Sequence, residues 1–456
     1  MSDKIKKKYE IDMCNGPILK KMLVFSLPLM LSSILQLLFN AADIVVVGRF
    51  AGDDSLAAVG STSSLINLLT NLFIGLSVGS NVLVARYFGA KKEDELRDTV
   101  HTAMMLSLIG GAVLTVIGIA GAPLILKWMQ SPPEVINLSI IYLRVYFAGI
   151  TASMIYNFGS SILRAIGDTK RPLYYLTVAG VVNVVLNLIF VIVFHWGVFG
   201  VGIATVMSQV ISAFLVVRCL LKEQGGIRLK LKCLGIHKGK LVQIMQIGLP
   251  AGFQGMLFSL SNVVIQSSVN SFGATIVAGN SAAQNLEGFV YVGMNAFYQA
   301  AISFMGQNVG AGKYNRVNKI LYSAQICVIA VGLALSMGVL LFATPLLSLY
   351  TDSPAVVEAG TARLSIICAT YFLCGMMDVM VGALRGLGYS IAPMIVSLLG
   401  ACAFRLLWIA TIFQIDRFHT IETVYTSYPI SWIITFSAHL VTFIIVRNRL
   451  KKRWGE

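Results

Sequence analysis

The stretch FNAADIVVVGRF, residues 39–50, sets a carboxylate, Asp43, inside an apolar run that begins near Met22 and meets its next charge only at Arg49. A charge at bilayer depth costs several kcal/mol and persists where it faces a cavity or a partner. Asp43 lies about 22 residues beyond Lys21, roughly 33 Å along a helix at 1.5 Å per residue, which puts it in the outer half of a span. Arg49 follows six residues later on a different helical face, so an ion pair within the helix is not expected. Other apolar segments offer oxygen ligands at helical spacing: Asn183 and Asn187 in GVVNVVLNLIF, Thr205 and Gln209, and Asn67 and Asn71. Side-chain oxygens around one carboxylate suit a small hard cation such as Na+. Low dielectric would instead let the carboxylate carry a proton. Cross-linking of neighbouring helices is the alternative role for each Asn and Thr.

A second group of polar residues lies in the C-terminal half. Ser259, Asn262, Gln266 and Asn270 form a stripe near i, i+4 spacing, and Glu287 opens EGFVYVGMNAFYQ, with Asn295 and Gln299 beyond it. Glu287 is read as a second titrating or substrate-contacting acid, or as a residue near a helix end. Asp378 and Arg405 are opposite charges that could pair. Asn262, Gln266, Glu287, Asp378 and Arg405 are therefore the candidate residues of a substrate cavity. The abundant aromatic and Met side chains could line an adaptable cavity, although packing is their default role.

The elements that carry these residues are long apolar segments. Of 456 residues, 57% are hydrophobic and only 12% charged, against the roughly 25% charged residues of ordinary soluble domains. Spans are read at 22–48, 57–83, 99–122, 135–160, 172–194, 198–221, 241–268, 276–303, 318–343, 357–382, 391–413 and 428–446. Each is near or above the ~20 residues that cross the hydrocarbon as a helix. The net charge of +15 follows topology: with a cytoplasmic N-terminus, 29 of the 35 Lys and Arg fall on the cytoplasmic side. Their clusters are Lys4 to Lys8 with Lys20 and Lys21, Arg86 to Arg97, Arg164 to Arg171, Arg218 to Lys240, Lys313 to Lys319, Arg385, and Arg447 to Arg453. That is the positive-inside pattern, and cations divided among short loops form no nucleic-acid-binding face. The basic start resembles a signal peptide only superficially, because the apolar run is too long and further spans follow. The seven cysteines show no metal spacing.

The second half restates the first at an offset of about 221 residues. LRAIGDTKRP (163–172) matches LRGLGYSIAP (384–393), SLPLMLSSILQ (26–36) resembles GLPAGFQGMLF (248–258), and VARYFGAKK (84–92) resembles MGQNVGAGK (305–313). Six spans per half return the chain to its starting side, so the halves share an orientation. The expected fold is an all-α polytopic membrane protein of twelve transmembrane helices in two six-helix lobes, related by a pseudo-twofold axis along the membrane normal. Transporters so built move substrate by rocking one lobe against the other. The expected domains are 1–221, a cytoplasmic linker at 222–240, and 241–456. No H-E-x-x-H, G-x-S-x-G or Walker loop occurs, so an enzyme or ATP-driven pump is not expected.

These features together resemble the multidrug and toxic compound extrusion (MATE) family in its bacterial branches, over nearly the whole chain. The resemblance implies export of organic cations and other amphipathic compounds in exchange for sodium or protons. It also implies an ion site in the first lobe, with an acid in span 1 matched by Asp43, an Asn in span 5 matched by Asn183, and a Thr in span 6 matched by Thr205. Asn187 stands where many members carry Asp, which leaves Asp43 as the sole carboxylate there. A second-lobe acid in span 7 has no counterpart, since Ser259 lies near that position, and Asp378 is about one turn from the span 10 acid of that branch. The expectation is thus an ion-coupled exporter, monomeric, in the bacterial inner membrane with both termini cytoplasmic. It needs no cofactor beyond the coupling ion, Na+ or H+, and Asp43, Asn183, Asn187 and Thr205 hold that ion. Its partners are a small amphipathic or cationic substrate and the lipid bilayer. A flippase for a lipid-linked saccharide is the alternative, and it requires a more cationic cavity built from Arg144, Arg363 and Arg405.

Overall fold

The computed structural model describes residues 9–129 and 133–455; the Lys4 to Lys8 cluster lies outside the described residues. Among them every regular element is helical. The first half contains α1 (Ile18–Phe50), α2 (Asp53–Gly89), α3 (Glu93–Trp128), α4 (Ile136–Ala148), α5 (Ile150–Ala165), α6 (Lys170–Leu188) and α7 (Gly197–Lys222). The second half contains α8 (Lys238–Asn270), α9 (Ala274–Gly310), α10 (Val317–Leu341), α11 (Pro354–Thr370), α12 (Phe372–Gly386), α13 (Ile391–Ser397), α14 (Phe404–Ala410) and α15 (Ile421–Trp454).

Among the described residues nine helices are long and apolar enough to span a bilayer, and eleven spans result when the bent pairs α4–α5 and α11–α12 each count as one. The remaining long helix, α9, runs for 37 residues. Asn280, Glu287, Asn295 and Gln299 dilute its apolar character. With it, each half supplies six helical passes, and the chain is an all-α, twelve-helix membrane protein.

The internal repeat extends to the backbone. Positive φ angles recur in pairs at the sequence offset: Gly52 at 88° and Gly273 at 92°, Lys91 at 54° and Gly312 at 69°, Gly167 at 98° and Gly388 at 94°. The breaks in the two bent spans, of 45° and 44°, fall at matching places, after Ala148 and after Thr370. Left-handed backbone is costly for residues with a Cβ, so its recurrence marks positions where the fold demands it.

The chain forms two compact units. One comprises Met1–Asp12 and Leu31–Gly252, the other Met13–Met30 and Phe253–Glu456. Helices α1 and α8, which open the two halves, are thus each divided between units. In the first unit the start of α8 lies against α2 through glycines: a Cβ on Gly75 would meet the Gly252 backbone nitrogen at 2.2 Å, and one on Gly79 the Ile244 carbonyl at 2.4 Å. Backbones so close gain dispersion contacts that larger side chains would prevent. The connection between α7 and α8 is fastened to α3 in the same unit. Glu93 accepts from the Gly226 amide, His101 Nε2 from the Lys230 amide at 3.1 Å and Thr102 from the His237 amide at 3.1 Å, while Lys240 pairs with Glu95. In the second unit Phe25 of α1 meets Phe304 of α9 edge to face at 5.7 Å.

Candidate functional site

In the first unit, α1 and α6 approach closely because Gly180 has no side chain. A Cβ there would stand 1.8 Å from the Phe39 ring. One turn beyond Phe39 on α1 comes Asp43, and further along α6 come Asn183 and Asn187. Asp43 Oδ1 accepts a hydrogen bond from Asn187 Nδ2, which also reaches Asn183 Oδ1 at 3.4 Å. Asn183 and Asn187 are buried, at 4% and 1% exposure. Among the described residues Asn187 Oδ1 is buried and accepts no hydrogen bond. Asp43 is half-buried, and no cation among the described residues is one of the groups that act on it. A carboxylate, a free amide oxygen and a second amide oxygen make an oxygen-rich, singly negative donor set, which fits Na+ or a proton better than a divalent ion. Among the described residues no three His, Cys, Asp or Glu gather as a metal site.

The Thr205 hydroxyl donates to the Val201 carbonyl of its own helix at 3.0 Å. Tyr142 of α4, absent from the sequence expectation, is close enough to feel the Asp43 charge, and Tyr146 one turn on lies against Gln209. Asn67 is exposed on α2 and joins none of these contacts. A π-helical turn, Ile189–Val193, follows Asn187 directly, and such turns concentrate at functional positions.

The candidates of the second unit divide into two groups. Glu287 lies in the middle of α9, not near an end, and forms a buried two-pronged ion pair with Arg363 of α11, both bonds at 2.8 Å. Arg363 also donates to Asn280 at 2.8 Å, Asn280 to Gln266 at 3.1 Å, and Gln266 to Asn270 at 2.9 Å. Gln266 is therefore part of a continuous polar chain, whereas Asn262 is exposed.

Among the described residues Asp378 and Arg405, which could have paired, do not. Asp378 lies against the Tyr291 hydroxyl and in the field of Arg385. Arg405 donates from Nε to Ser431 at 2.8 Å and stacks over the Tyr428 and Trp432 rings, at 4.2 and 5.7 Å. Arg405, which follows a π-helical segment, Leu398–Ala403, makes these contacts with α15.

Comparison with known proteins agrees with this architecture. The sequence matches MatE twice, over residues 28–189 and again over 250–409. It is 29% identical to the "Probable multidrug resistance protein YoeA" of Bacillus subtilis, over 83% of each chain. It is 21% identical to the "Multidrug export protein MepA" of Staphylococcus aureus, over 86% of this chain and 87% of that one. Among solved structures, a MOP superfamily transporter from Pyrococcus furiosus shares the fold with a TM-score of 0.88 at 24% identity, over 97% of this chain and 98% of the other. With its twofold match, its twelve-helix fold and relatives that bear multidrug-transporter names, this multi-pass membrane protein belongs to the MatE family.

Proposed function

We propose that the protein is an ion-coupled exporter of organic cations and other amphipathic compounds, working by alternating access, with Asp43 as the group that binds the coupling ion. The observation that carries this reading is the Asp43 carboxylate held by Asn187, with a buried amide oxygen beside it and no cation acting on it. A carboxylate without a fixed counter-ion costs free energy at membrane depth, and a mobile cation relieves that cost only while it is bound. Ion binding there is thus coupled to the arrangement of α1 and α6. Asn187 and Asn183 supply neutral oxygens, and Thr205 is a further ligand if its hydroxyl leaves Val201. The distribution of Lys and Arg supports cytoplasmic termini in a bacterial inner membrane. Of the three cations that the flippase reading requires, Glu287 neutralises Arg363, and Arg144 is exposed and bonded to the Ile119 carbonyl, which leaves Arg405 alone.

The test is efflux of a cationic dye from proteoliposomes under independently imposed sodium and pH gradients. One of the two gradients should drive efflux, and Asp43→Asn, reconstituted at equal density, should abolish that dependence. Efflux by the variant equal to the parent's would remove Asp43 from the mechanism.

A further inference from the structure

Ionisable residues in the spans of the second unit do not balance. Glu287 neutralises Arg363, and Asp378 lies in the field of Arg385. Arg405 is left over. It is buried, at 4% exposure, yet the groups acting on it are Tyr428, Cys374, Cys402 and Tyr371, with no carboxylate among them. Among the described residues its only hydrogen bond runs from Nε to Ser431. Among the described residues the two terminal nitrogens meet no acceptor, and neither is both fully buried and unsatisfied.

The surroundings of this guanidinium are aromatic. Tyr428 and Trp432 lie beside it, Trp432 is 5.4 Å from Tyr371, and Tyr371 is 6.5 Å from Tyr291, which is exposed. A planar fork with two unused donors recognises carboxylate, sulfonate or phosphate groups in pairs of parallel hydrogen bonds. A row of rings that starts at that fork offers stacking partners for a flat ligand. A buried cation with neutral partners is retained at a cost, as Asp43 is in the other unit, and a transient anion removes the cost.

We propose that Arg405, with Tyr428, Trp432 and Tyr371, forms a binding site for the anionic group and adjoining ring system of aromatic organic anions, a substrate class distinct from cations. Arg405 holds the anion, Ser431 fixes the guanidinium through Nε, and the rings stack on the ligand. The site rests on the transporter reading only for its purpose, since binding can be measured without transport.

The experiment is equilibrium fluorescence anisotropy on the full-length protein in lipid nanodiscs, with fluorescein as the aromatic anion and rhodamine 6G as the aromatic cation. The parent should bind fluorescein saturably. Arg405→Gln should weaken that binding at least about tenfold, the scale of one charge-assisted contact, and leave rhodamine 6G within about twofold. Arg405→Lys keeps the charge and loses the fork, so it should fall between the two and serves where Arg405→Gln does not fold. Absence of saturable fluorescein binding to the parent, equal weakening of both dyes, or fluorescein binding by Arg405→Lys equal to the parent's would each overturn the assignment. Loss of ion-driven efflux in Asp43→Asn with fluorescein binding intact would leave it standing, and the reverse result would separate the two claims.

Discussion

In the first unit a carboxylate, Asp43, is held by an amide and has no cation acting on it; in the second a guanidinium, Arg405, is held by a hydroxyl and two rings and has no acid. The two charges do not occupy related positions: the repeat carries Asp43 onto Val264, whereas Arg405 lies within one residue of the counterpart of Asn183, and the spans of Asn183 and Arg405 each contain a π-helical turn. The duplicated backbone keeps its bends and its left-handed positions, while the isolated charge differs between the units in both sign and place. Scaffold and chemistry are therefore separable here: the glycines and the bends set where helices approach, and a few side chains decide which ion or ligand each unit can stabilise.

The largest expected effect tests the claim that unpaired charges are special and paired ones structural. Glu287→Ala leaves Arg363 buried without its carboxylate, and breaking a buried pair in this way costs about 3–5 kcal/mol. The melting temperature of the purified protein should fall sharply, and adding Arg363→Met should recover most of the loss. Asp43→Asn, which breaks no ion pair, should melt close to the parent. If the two single variants melt alike, the distinction between the units fails.

A smaller effect sharpens the ion site. Asn187→Asp adds a second carboxylate beside Asp43, and one further charge should tighten cation binding by roughly tenfold, or about 1.4 kcal/mol. The half-saturating sodium concentration for dye efflux reports it. An unchanged value, with efflux otherwise intact, would exclude residue 187 from the ion's surroundings.

Much of this organisation is legible in the sequence. Apolar runs, the placement of Lys and Arg and the motif pairs give the helices and the repeat, and i, i+4 spacing sets Asn183 and Asn187 on one face with Asp43 as the only nearby acid. What the sequence hides is rotation. One extra residue in a helix turns everything beyond it by about 100°, and the π-helical segment before Arg405 carries no compositional mark. Asp378 meets Tyr291 of α9 and Arg405 meets Ser431 of α15, partners that spacing within their own helices does not reveal. Glu287 finds Arg363 at a separation of 76 residues, which no local pattern encodes. Tyr142 enters the Asp43 neighbourhood by helix packing alone.

The smallest effect compares the units at one repeated turn. After α5 the Gly167 amide bonds the Arg164 carbonyl and the Asp168 amide the Leu163 carbonyl, at 3.0 Å each; after α12 Gly388 and Tyr389 do the same to Arg385 and Leu384, at 2.8 and 2.9 Å. This is a Schellman ending, and its glycine takes a positive φ that a Cβ makes unfavourable by about 1–2 kcal/mol. Both Gly167→Ala and Gly388→Ala should therefore lower the melting temperature by a few degrees. They should not be equal. A Cβ on Gly167 would stand 2.5 Å from the Ile11 carbonyl oxygen, whose residue also donates its amide to the Gly167 carbonyl at 3.2 Å. In the first unit the turn thus carries the N-terminal segment as well as the helix end, so Gly167→Ala should cost more than its φ alone requires and should expose the chain near Ile11 to proteolysis. Equal melting shifts with unchanged cleavage at both sites would mean that the Ile11 contact adds nothing, and that the two turns are alike in energy as well as in backbone.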